Sequence, residues 1–173
     1  MDRRAAIGCV MVGTAAIGSG AMAADAGNRP GRVRRLVERY AAAWNASDMD
    51  AMAALYTRDV HWVNIVGMHW RGRTQVDQAH RAFFDIMFKG VPLTLQEIES
   101  IVPLPGGGGV VVVIRWAVGA FRTPAGDQVP PSRDRMTLVL VPDGDGLLIA
   151  HGANIQIDER AQASDPVANR RRE

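Results

Sequence analysis

The sequence predicts an α+β fold, because helical patterns dominate its first half and strand patterns fill the second. Apolar residues recur at helical spacing from Val33 to Trp44, with charged residues between them. After Pro92, four runs rich in β-branched residues follow one another, separated by turns rich in Gly, Pro and Asp. Consecutive strands joined by short turns form an antiparallel meander, and strands gathered after helices are typical of α+β folds.

Each element has a local reason in the sequence. The helix at 33–44 ends at the break Asn45–Ser47, and Asp48 is a good N-cap for a short second helix. Val60–Val66 is β-branched and aromatic enough for a strand, and Gly67 marks the turn after it. The predicted elements after the first helix are, in chain order, a helix at 48–56, strands at 60–66 and 68–70, a helix at 74–88, and strands at 93–103, 110–121, 133–141 and 147–157.

Length, charge and cysteine content exclude several classes of protein. A chain of 173 residues favours one domain with a single core. Its 20 Lys and Arg against 18 Asp and Glu leave a net charge of +2, which is too small an excess of positive charge to indicate binding of nucleic acid. The single cysteine, Cys9, excludes a disulfide scaffold. We therefore expect a globular domain that does not bind nucleic acid.

Residues 1–23 are predicted to be a signal peptide. Arg3 and Arg4 form a basic start, an apolar stretch follows from Ala5 to Ile17, and Ala21-Met22-Ala23 matches the small-x-small pattern of signal peptidase sites. The stretch is too short and too rich in glycine to span a membrane. Cleavage before Ala24 predicts a periplasmic or secreted protein that has no cysteine and no membrane contact. The sequence of residues 1–23 does not decide between the general and the twin-arginine export pathways.

The rest of the chain divides into three parts. Residues 24–32 are a polar lead expected to be flexible, residues 33–157 form the folded domain, and residues 158–173 are a polar tail expected to be disordered. The runs at 110–113 and 139–141 are apolar on both faces of their strands, so both faces of the sheet must be covered. Helices can cover one face, and a second copy of the chain is the simplest cover for the other. We therefore predict a homodimer through the sheet face.

A family resemblance rests on four groups of residues. They are Trp44 with Asp48, the stretch Val63-Asn64-x-Val66-Gly67-x-x-Trp70-x-Gly72, His80 on the third helix, and His151-x-x-Asn154 on the last strand. Together they resemble the SgcJ/EcaC family, in the SnoaL-like branch of the nuclear transport factor 2-like superfamily, over residues 33–157. The resemblance implies a curved antiparallel sheet wrapped by three helices into a cone, whose open mouth is a pocket, usually in a homodimer.

The resemblance does not decide the function. The same cone hosts ketosteroid isomerase, polyketide cyclases, epoxide hydrolase, scytalone dehydratase and kinase association domains. The sequence contains no Gly-x-Gly-x-x-Gly loop and no cysteine after the signal peptide, so an oxidoreductase is not indicated. Three functions stay open: an exported binder of an apolar small molecule, a cofactor-independent isomerase, cyclase or dehydratase, and a dimeric association domain.

Two histidines are the candidate acid/base groups for catalysis. His80 lies on the apolar face of the third helix and is expected to point into the cone, either as an acid/base or as a hydrogen-bonded core residue. His151 is expected near the open mouth. It lies three residues before Asn154, so strand alternation places the two side chains on opposite faces unless a bulge at Gly152 brings them together.

The predicted ligand pocket is mainly aromatic. Large aromatic residues more often form a core than a ligand platform, but a cone lined with them suits a flat, apolar ligand. Asn64 is assigned to the pocket, and His61, on the opposite face of its strand, to the surface or an interface. The candidate pocket residues are Tyr40, Trp44, Asn64, Trp70, Phe84, Trp116 and Asn154.

The remaining charged groups are assigned structural roles. Arg115 and Asp134 fall on neighbouring predicted strands and are interpreted as a cross-strand pair. The chain has four histidines, which are too few and too scattered for a zinc site. We therefore expect neither a metal nor a cofactor.

Overall fold

The structure, a computed structural model, describes residues 19–169. Residues 1–18 of the predicted signal peptide and residues 170–173 of the predicted tail lie outside this range. The elements are, in chain order, α1 (Ser19–Ala46), α2 (Met49–Ala53), β1 (Tyr56–Val63), β2 (His69–Arg71), α3 (Gly72–Phe83), β3 (Leu93–Pro103), β4 (Val110–Val118), β5 (Phe121–Arg122), β6 (Gln128–Val129), β7 (Ser132–Asp143), β8 (Gly146–Gln156), α4 (Glu159–Gln162) and α5 (Pro166–Asn169). The predicted α+β class is confirmed.

A six-stranded sheet forms the body of the domain. Its strand order is β2-β1-β8-β7-β4-β3, and β5 and β6 form a separate small hairpin. The predicted antiparallel meander of β3, β4, β7 and β8 is confirmed. β1, however, runs parallel to β8, so the sheet is mixed. The two strands are far apart in the chain and need no hairpin, which frees them to pair in parallel.

The core lies between the helices and one face of this sheet, which we call the inner face. On β4 the residues Val112, Ile114 and Trp116 are buried, whereas the residues between them stay half-buried. Val33 and Leu36 of α1 belong to the same core. The opposite side of the sheet is called the outer face. The valine-rich runs thus have apolar residues on both faces, but only those on the inner face are fully buried.

The helices depart from the prediction mainly at their ends. α1 begins at Ser19 and continues through Pro30, so it includes the residues predicted as a flexible lead. Gly27, Pro30 and Gly31 are poor helix formers, so the local sequence does not explain this extension of the helix. The tail contains two short helices, α4 and α5, where none was predicted. Asp48 caps α2 as predicted, because its side chain accepts a hydrogen bond from the amide of Ala51.

α3 also ends earlier than the predicted Phe88. It passes at Phe84 into a π-helical turn, Phe84–Phe88, which places Phe84 and Phe88 beside the end of α1. Within residues 19–169, no helix is both long and apolar enough to cross a membrane.

Candidate functional site

A cavity of about 440 Å³ lies between the helices and the inner face of the sheet. Its wall contains all four tryptophans of the chain, Trp44, Trp62, Trp70 and Trp116, together with Tyr40 and Phe84. These residues come from α1, β1, β2, β4 and the π-helical turn after α3. The helices therefore cover the inner face without filling the space above it.

The structure places all seven predicted pocket residues in the wall of this cavity. His80 lies in the same wall. The fold thus brings together residues that lie more than a hundred positions apart in the sequence, such as Tyr40 and Asn154. Their role in binding a ligand stays a prediction.

The end of α1 is tied to the start of β3 beside the cavity. The indole Nε1–H of Trp44 donates to the carbonyl of Val91 at 2.8 Å. The side chain of Asn45 donates to the carbonyl of Leu93 at 2.9 Å and accepts from its amide at 2.8 Å. The Trp44 ring also meets Phe84 edge-on, with 4.6 Å between the ring centroids. These contacts fix Trp44 as a rigid part of the wall.

His80 lies in a mainly aromatic part of the wall and is 8% exposed. Its ring centroid lies 5.3 Å from that of Trp62 and 5.9 Å from that of Trp70. Its Nδ1 lies 2.8 Å from the carbonyl oxygen of Val76, which can only accept, so Nδ1 carries the proton. Burial lowers the pKa of His80, against the opposing effects of this hydrogen bond and of Asp77. At neutral pH the imidazole is therefore neutral, and Nε2 is its basic nitrogen.

A buried carboxyl group, Asp134 on β7, also borders the cavity and is 3% exposed. It accepts hydrogen bonds from Oγ of Ser132 at 3.1 Å and from Nδ2 of Asn154 at 2.9 Å. Burial raises the pKa of Asp134, and these two hydrogen bonds oppose the rise. A carboxyl group whose pKa is raised in an apolar cavity is suited to proton transfer.

The predicted pair of Arg115 and Asp134 is wrong. In the register of β4 and β7, Arg115 is opposite Arg135 and Trp116 is opposite Asp134. Because successive side chains of a strand point to opposite faces, Arg115 lies on the outer face, where it forms an ion pair with Glu97. Asp134 points to the inner face.

The sequence contains a signal for the burial of Asp134 that its interpretation as a partner of Arg115 does not use. Asp134 occupies the same alternate positions of its strand as Met136, Leu138 and Leu140, which are all buried. A single carboxylate within such an apolar series predicts a buried charge. Buried charges in proteins need partners or a function.

Two polar atoms next to Asp134 have no hydrogen-bond partner. They are Nε1 of Trp116 and Oδ1 of Asn154, and both are buried. Leaving a buried donor or acceptor unpaired costs about 1–3 kcal/mol. Trp116 and Asn154 both belong to the cavity wall, but these two atoms are covered by the protein itself and do not open into the cavity.

His151 lies on the outer face, which corrects the expectation that it sits at the mouth of the pocket. The register of β7 and β8 shifts between Val139 and Leu140, so the extra residue on β8 is Ala150 and not Gly152. After this shift, His151 is opposite Val139 on one side and His61 on the other. In the range 19–169, no group of three or more His, Cys, Asp or Glu side chains is placed to hold a metal ion.

Gly152 has a packing role instead of the predicted bulge. A Cβ atom added there would lie 2.3 Å from Cζ3 of Trp62. Real atoms cannot approach this closely, so only glycine allows the indole of Trp62 to pack against β8. The glycine therefore positions one aromatic wall of the cavity.

The turn between β1 and β2 forms one edge of the cavity. Oδ1 of Asn64 accepts hydrogen bonds from the amides of Val66 at 3.1 Å and Met68 at 2.8 Å, and Gly67 adopts a φ of 83°. Ile65, Val66 and Met68 line the cavity and are 40%, 70% and 48% exposed. The amide carbonyl of Asn64 thus stabilises the turn, and exposed apolar side chains surround this edge.

The sequence profile of the SnoaL-like domain family matches residues 37–147, which is more than half of the chain. The chain belongs to the SnoaL-like domain family. The matched range includes Tyr40, His80, Trp116 and Asp134, so most of the cavity wall lies inside the family domain.

Solved structures agree with this assignment. The SnoaL-like domain is similar to an uncharacterised protein with a cystatin-like fold from Caulobacter vibrioides, at 35% identity and a TM-score of 0.73, covering 81% of this chain and 97% of that chain. A ketosteroid isomerase-like protein from Erwinia carotovora atroseptica is 18% identical, with a TM-score of 0.62 and coverage of 74% and 95%.

A nuclear transport factor 2-like superfamily protein from Salmonella enterica is 16% identical, with a TM-score of 0.66 and coverage of 78% and 94%. At such identities the likeness shows the fold alone. The family match and the 35% identical structure, taken with this shared fold, support the predicted superfamily. A search of the curated proteins gives no match to this sequence.

Proposed function

We propose that this SnoaL-like domain binds an apolar small molecule in its cavity. The observation that carries the proposal is a space of about 440 Å³ whose wall holds all four tryptophans. Ligand pockets have volumes of about 300–1,000 Å³ and mostly apolar, aromatic walls. A cone that served only for association would be filled by side chains, because empty core volume is destabilising. The cavity therefore favours binding over the association alternative.

The polar end of the cavity indicates what the ligand carries. Its polar side chains are those of Ser132, Asp134 and Asn154, which line the cavity and form one hydrogen-bonded group. A ligand hydroxyl or carbonyl could pair with polar side chains at this end. We therefore propose a flat, apolar compound with one such polar group at this end.

The binding proposal can be tested with N-phenyl-1-naphthylamine, a neutral and apolar dye. Because four tryptophans line the cavity, bound dye should quench tryptophan emission by energy transfer. Val118→Phe places a ring inside the cavity and should weaken binding roughly tenfold or more. The matched control Ala117→Phe adds the same ring to the outer face of the same strand. No saturable binding, or equal loss in both variants, would reject the proposal.

A second candidate function is a cofactor-independent isomerase or dehydratase that uses Asp134 and His80. The observation in its favour is that a carboxyl group with a raised pKa and a neutral imidazole border one apolar cavity. The similarity to a ketosteroid isomerase-like protein makes proton transfer next to a carbonyl the reaction to test. His151 is not part of this proposal, because it lies on the other face of the sheet.

The enzyme candidate can be tested with 2-tetralone, an apolar bicyclic ketone, in heavy water. The Asp134 carboxylate would remove a proton from the carbon next to the carbonyl, and the enolate would take up a deuteron from the solvent. Each turnover replaces one C–H bond by C–D, which NMR detects. Asp134→Asn should abolish the exchange, whereas Glu99→Gln on the outer face should not. Exchange no faster than in buffer would reject the enzyme candidate and leave the binding proposal standing.

We also propose that the domain is exported, that it belongs to the SgcJ/EcaC group, and that it forms a homodimer through the outer face. Half-buried Val111, Val113 and Val139 on that face support the dimer. Arg3 and Arg4 with the Ala21-Met22-Ala23 site support export. Mass spectrometry of the mature N-terminus tests cleavage before Ala24. A monomer in sedimentation at micromolar concentration would contradict the dimer.

A further inference from the structure

Three of the four histidines of the chain share the outer face, near the edge of the sheet formed by β2. Nδ1 of His61 on β1 lies 3.1 Å from Nε2 of His69 on β2, and their ring centroids are 5.1 Å apart. His61 is also the register partner of His151 on β8. The three imidazoles therefore occupy three adjacent strands, on the side of the sheet opposite the cavity.

The contact between His61 and His69 requires a particular protonation state. One ring nitrogen must donate a hydrogen, and the other must accept it with a lone pair. When both imidazoles are protonated, two N–H groups face each other and two positive charges repel. The pKa of His151 is lowered, first by burial and then by the charges of His61 and His69. Charge on these two rings thus acts across the strands of this face.

β2 is the part of the sheet that this repulsion can detach. It is three residues long, lies at the edge and pairs only with β1. Short edge elements with few pairing partners open at low free-energy cost. Trp70 of β2 lines the cavity, and so do residues 64–66 and 68 of the turn that β2 closes. Movement of β2 would therefore open one wall of the cavity.

We propose that acidification releases the bound molecule, because protonation of both His61 and His69 separates β2 from β1 and opens the cavity wall at Trp70. This inference rests on the proposed function, since it concerns release of the molecule proposed to bind there. The histidine pair acts from outside the cavity, so it needs no contact with the ligand.

The histidine pair has two charged neighbours on its own strands. Asp59 of β1 shares the outer face with His61 by alternation, and Arg71 of β2 is the register partner of His61. The outer-face positions next along β8 and β7 carry no ionisable group apart from His151, and they are Ala153, Thr137 and Val139.

The first arm of the test follows the strand itself, without ligand. Amide hydrogen exchange is compared at about pH 7.5 and about pH 5, as protection relative to the unfolded chain. We expect the protection of the β2 amides to fall roughly tenfold, which corresponds to the free energy of about one hydrogen bond. The protection of the β4 amides should stay constant. In the double variant His61→Gln/His69→Gln the side chains stay polar but cannot become charged, so protection should not fall. No loss in the wild type, or an equal loss in the double variant, would overturn the proposal.

The second arm measures release of N-phenyl-1-naphthylamine at the same two pH values. We expect the affinity of the wild type to fall roughly tenfold on acidification and that of the double variant to stay constant. His80→Gln is the comparison, because His80 lines the cavity and also titrates. A pH dependence that disappears in His80→Gln and persists in the double variant would overturn the proposal. Absence of dye binding at the higher pH would contradict the proposed function, whereas the exchange arm would still decide whether β2 detaches.

Discussion

The two faces of the sheet show how burial changes the chemistry of the same side-chain types. On the inner face, burial raises the pKa of Asp134. On the outer face, hydrogen bonding from Arg135 holds the pKa of Glu99 below its usual range. The histidines differ in a related way: the pKa of His80 is lowered by burial, and that of His151 by burial and by the charges of its neighbours.

The difference follows from which partners each face supplies. Glu99 accepts hydrogen bonds from Arg135 at 2.6 and 2.9 Å and forms a further ion pair with Arg115 at 3.4 Å. Asp134 has hydrogen bonds only from the neutral Ser132 and Asn154. A carboxylate with no countercharge in an apolar cavity is the group that can exchange a proton usefully. The inner face is therefore the one on which the proposed proton transfer would take place.

The largest effect in this comparison is expected for truncation of the core. Leu138 on the inner face is 1% exposed, so Leu138→Ala should lower the free energy of unfolding by about 2–5 kcal/mol. Val139→Ala removes two methyl groups from an outer-face position that is half-buried in a single copy of the chain. At protein concentrations too low for the proposed dimer to form, it should cost about 1 kcal/mol or less. Urea denaturation measures both values.

If Leu138→Ala and Val139→Ala lowered the free energy of unfolding by the same amount, the two faces would not differ in burial. Such a result would mean that the outer face is also covered in solution. Repeating the Val139→Ala measurement over a range of protein concentrations would then test the proposed dimer, because the stability of a dimer depends on concentration.

The next largest effect is expected for Gly152→Ala. The added methyl group would meet the indole of Trp62, so we expect a loss of about 1–3 kcal/mol and a changed near-ultraviolet circular dichroism spectrum. Ala153→Val, one residue further on the outer face, is the control and should change stability by about 0.5 kcal/mol or less. An unchanged spectrum in Gly152→Ala would show that Trp62 is not held by β8.

The two shifted histidines should make the protein less stable in acid, for separable reasons. A pKa that is lower in the folded than in the unfolded state means that stability falls as pH drops below about 6.5 towards the folded value, by at most about 1.4 kcal/mol per pH unit for one group. His80→Phe should reduce this loss at every salt concentration, because its shift comes from burial. His151→Gln should reduce the loss more at low salt than at high salt, because salt screens the charges of His61 and His69. Urea midpoints at about pH 7 and about pH 5, in low and high salt, measure this loss of stability. If the effect of His151→Gln on the loss were the same at both salt concentrations, this account would be wrong.

The order of elements was predictable because its signals are local. The four long strands and the Asp48 cap each follow from a few neighbouring residues. The predicted pocket residues also share one cavity, although nothing in their sequence spacing fixes a common location. The family-like stretch around Asn64 and the helical face of His80 supplied that information.

The remainder depends on register, which local patterns do not encode. The register shift at Ala150 places His151 on the outer face, and the alternation of β7 places Asp134 on the inner face, away from Arg115. The contact between His61 and His69 required knowledge of how β1 and β2 pair. Charged partners across strands are therefore the part of a site that sequence predicts least well.

The smallest effect is expected on the outer face, where Glu99→Gln should cost about 0.2–1 kcal/mol at neutral pH and low salt. The sign of its pH dependence is the informative quantity. Because the pKa of Glu99 is lowered in the folded state, its stabilisation is present above the unfolded pKa and is lost as pH falls through the folded value. Because the pKa of Asp134 is raised, its carboxyl favours the folded state at low pH, and that stabilisation is lost as pH rises. Glu99→Gln should therefore match the wild type most closely in acid, and Asp134→Asn should gain relative to the wild type as pH rises. The urea midpoint of each variant is compared with that of the wild type at each pH. If the two differences changed in the same direction with pH, the carboxyl groups of the two faces would not have oppositely shifted pKa values.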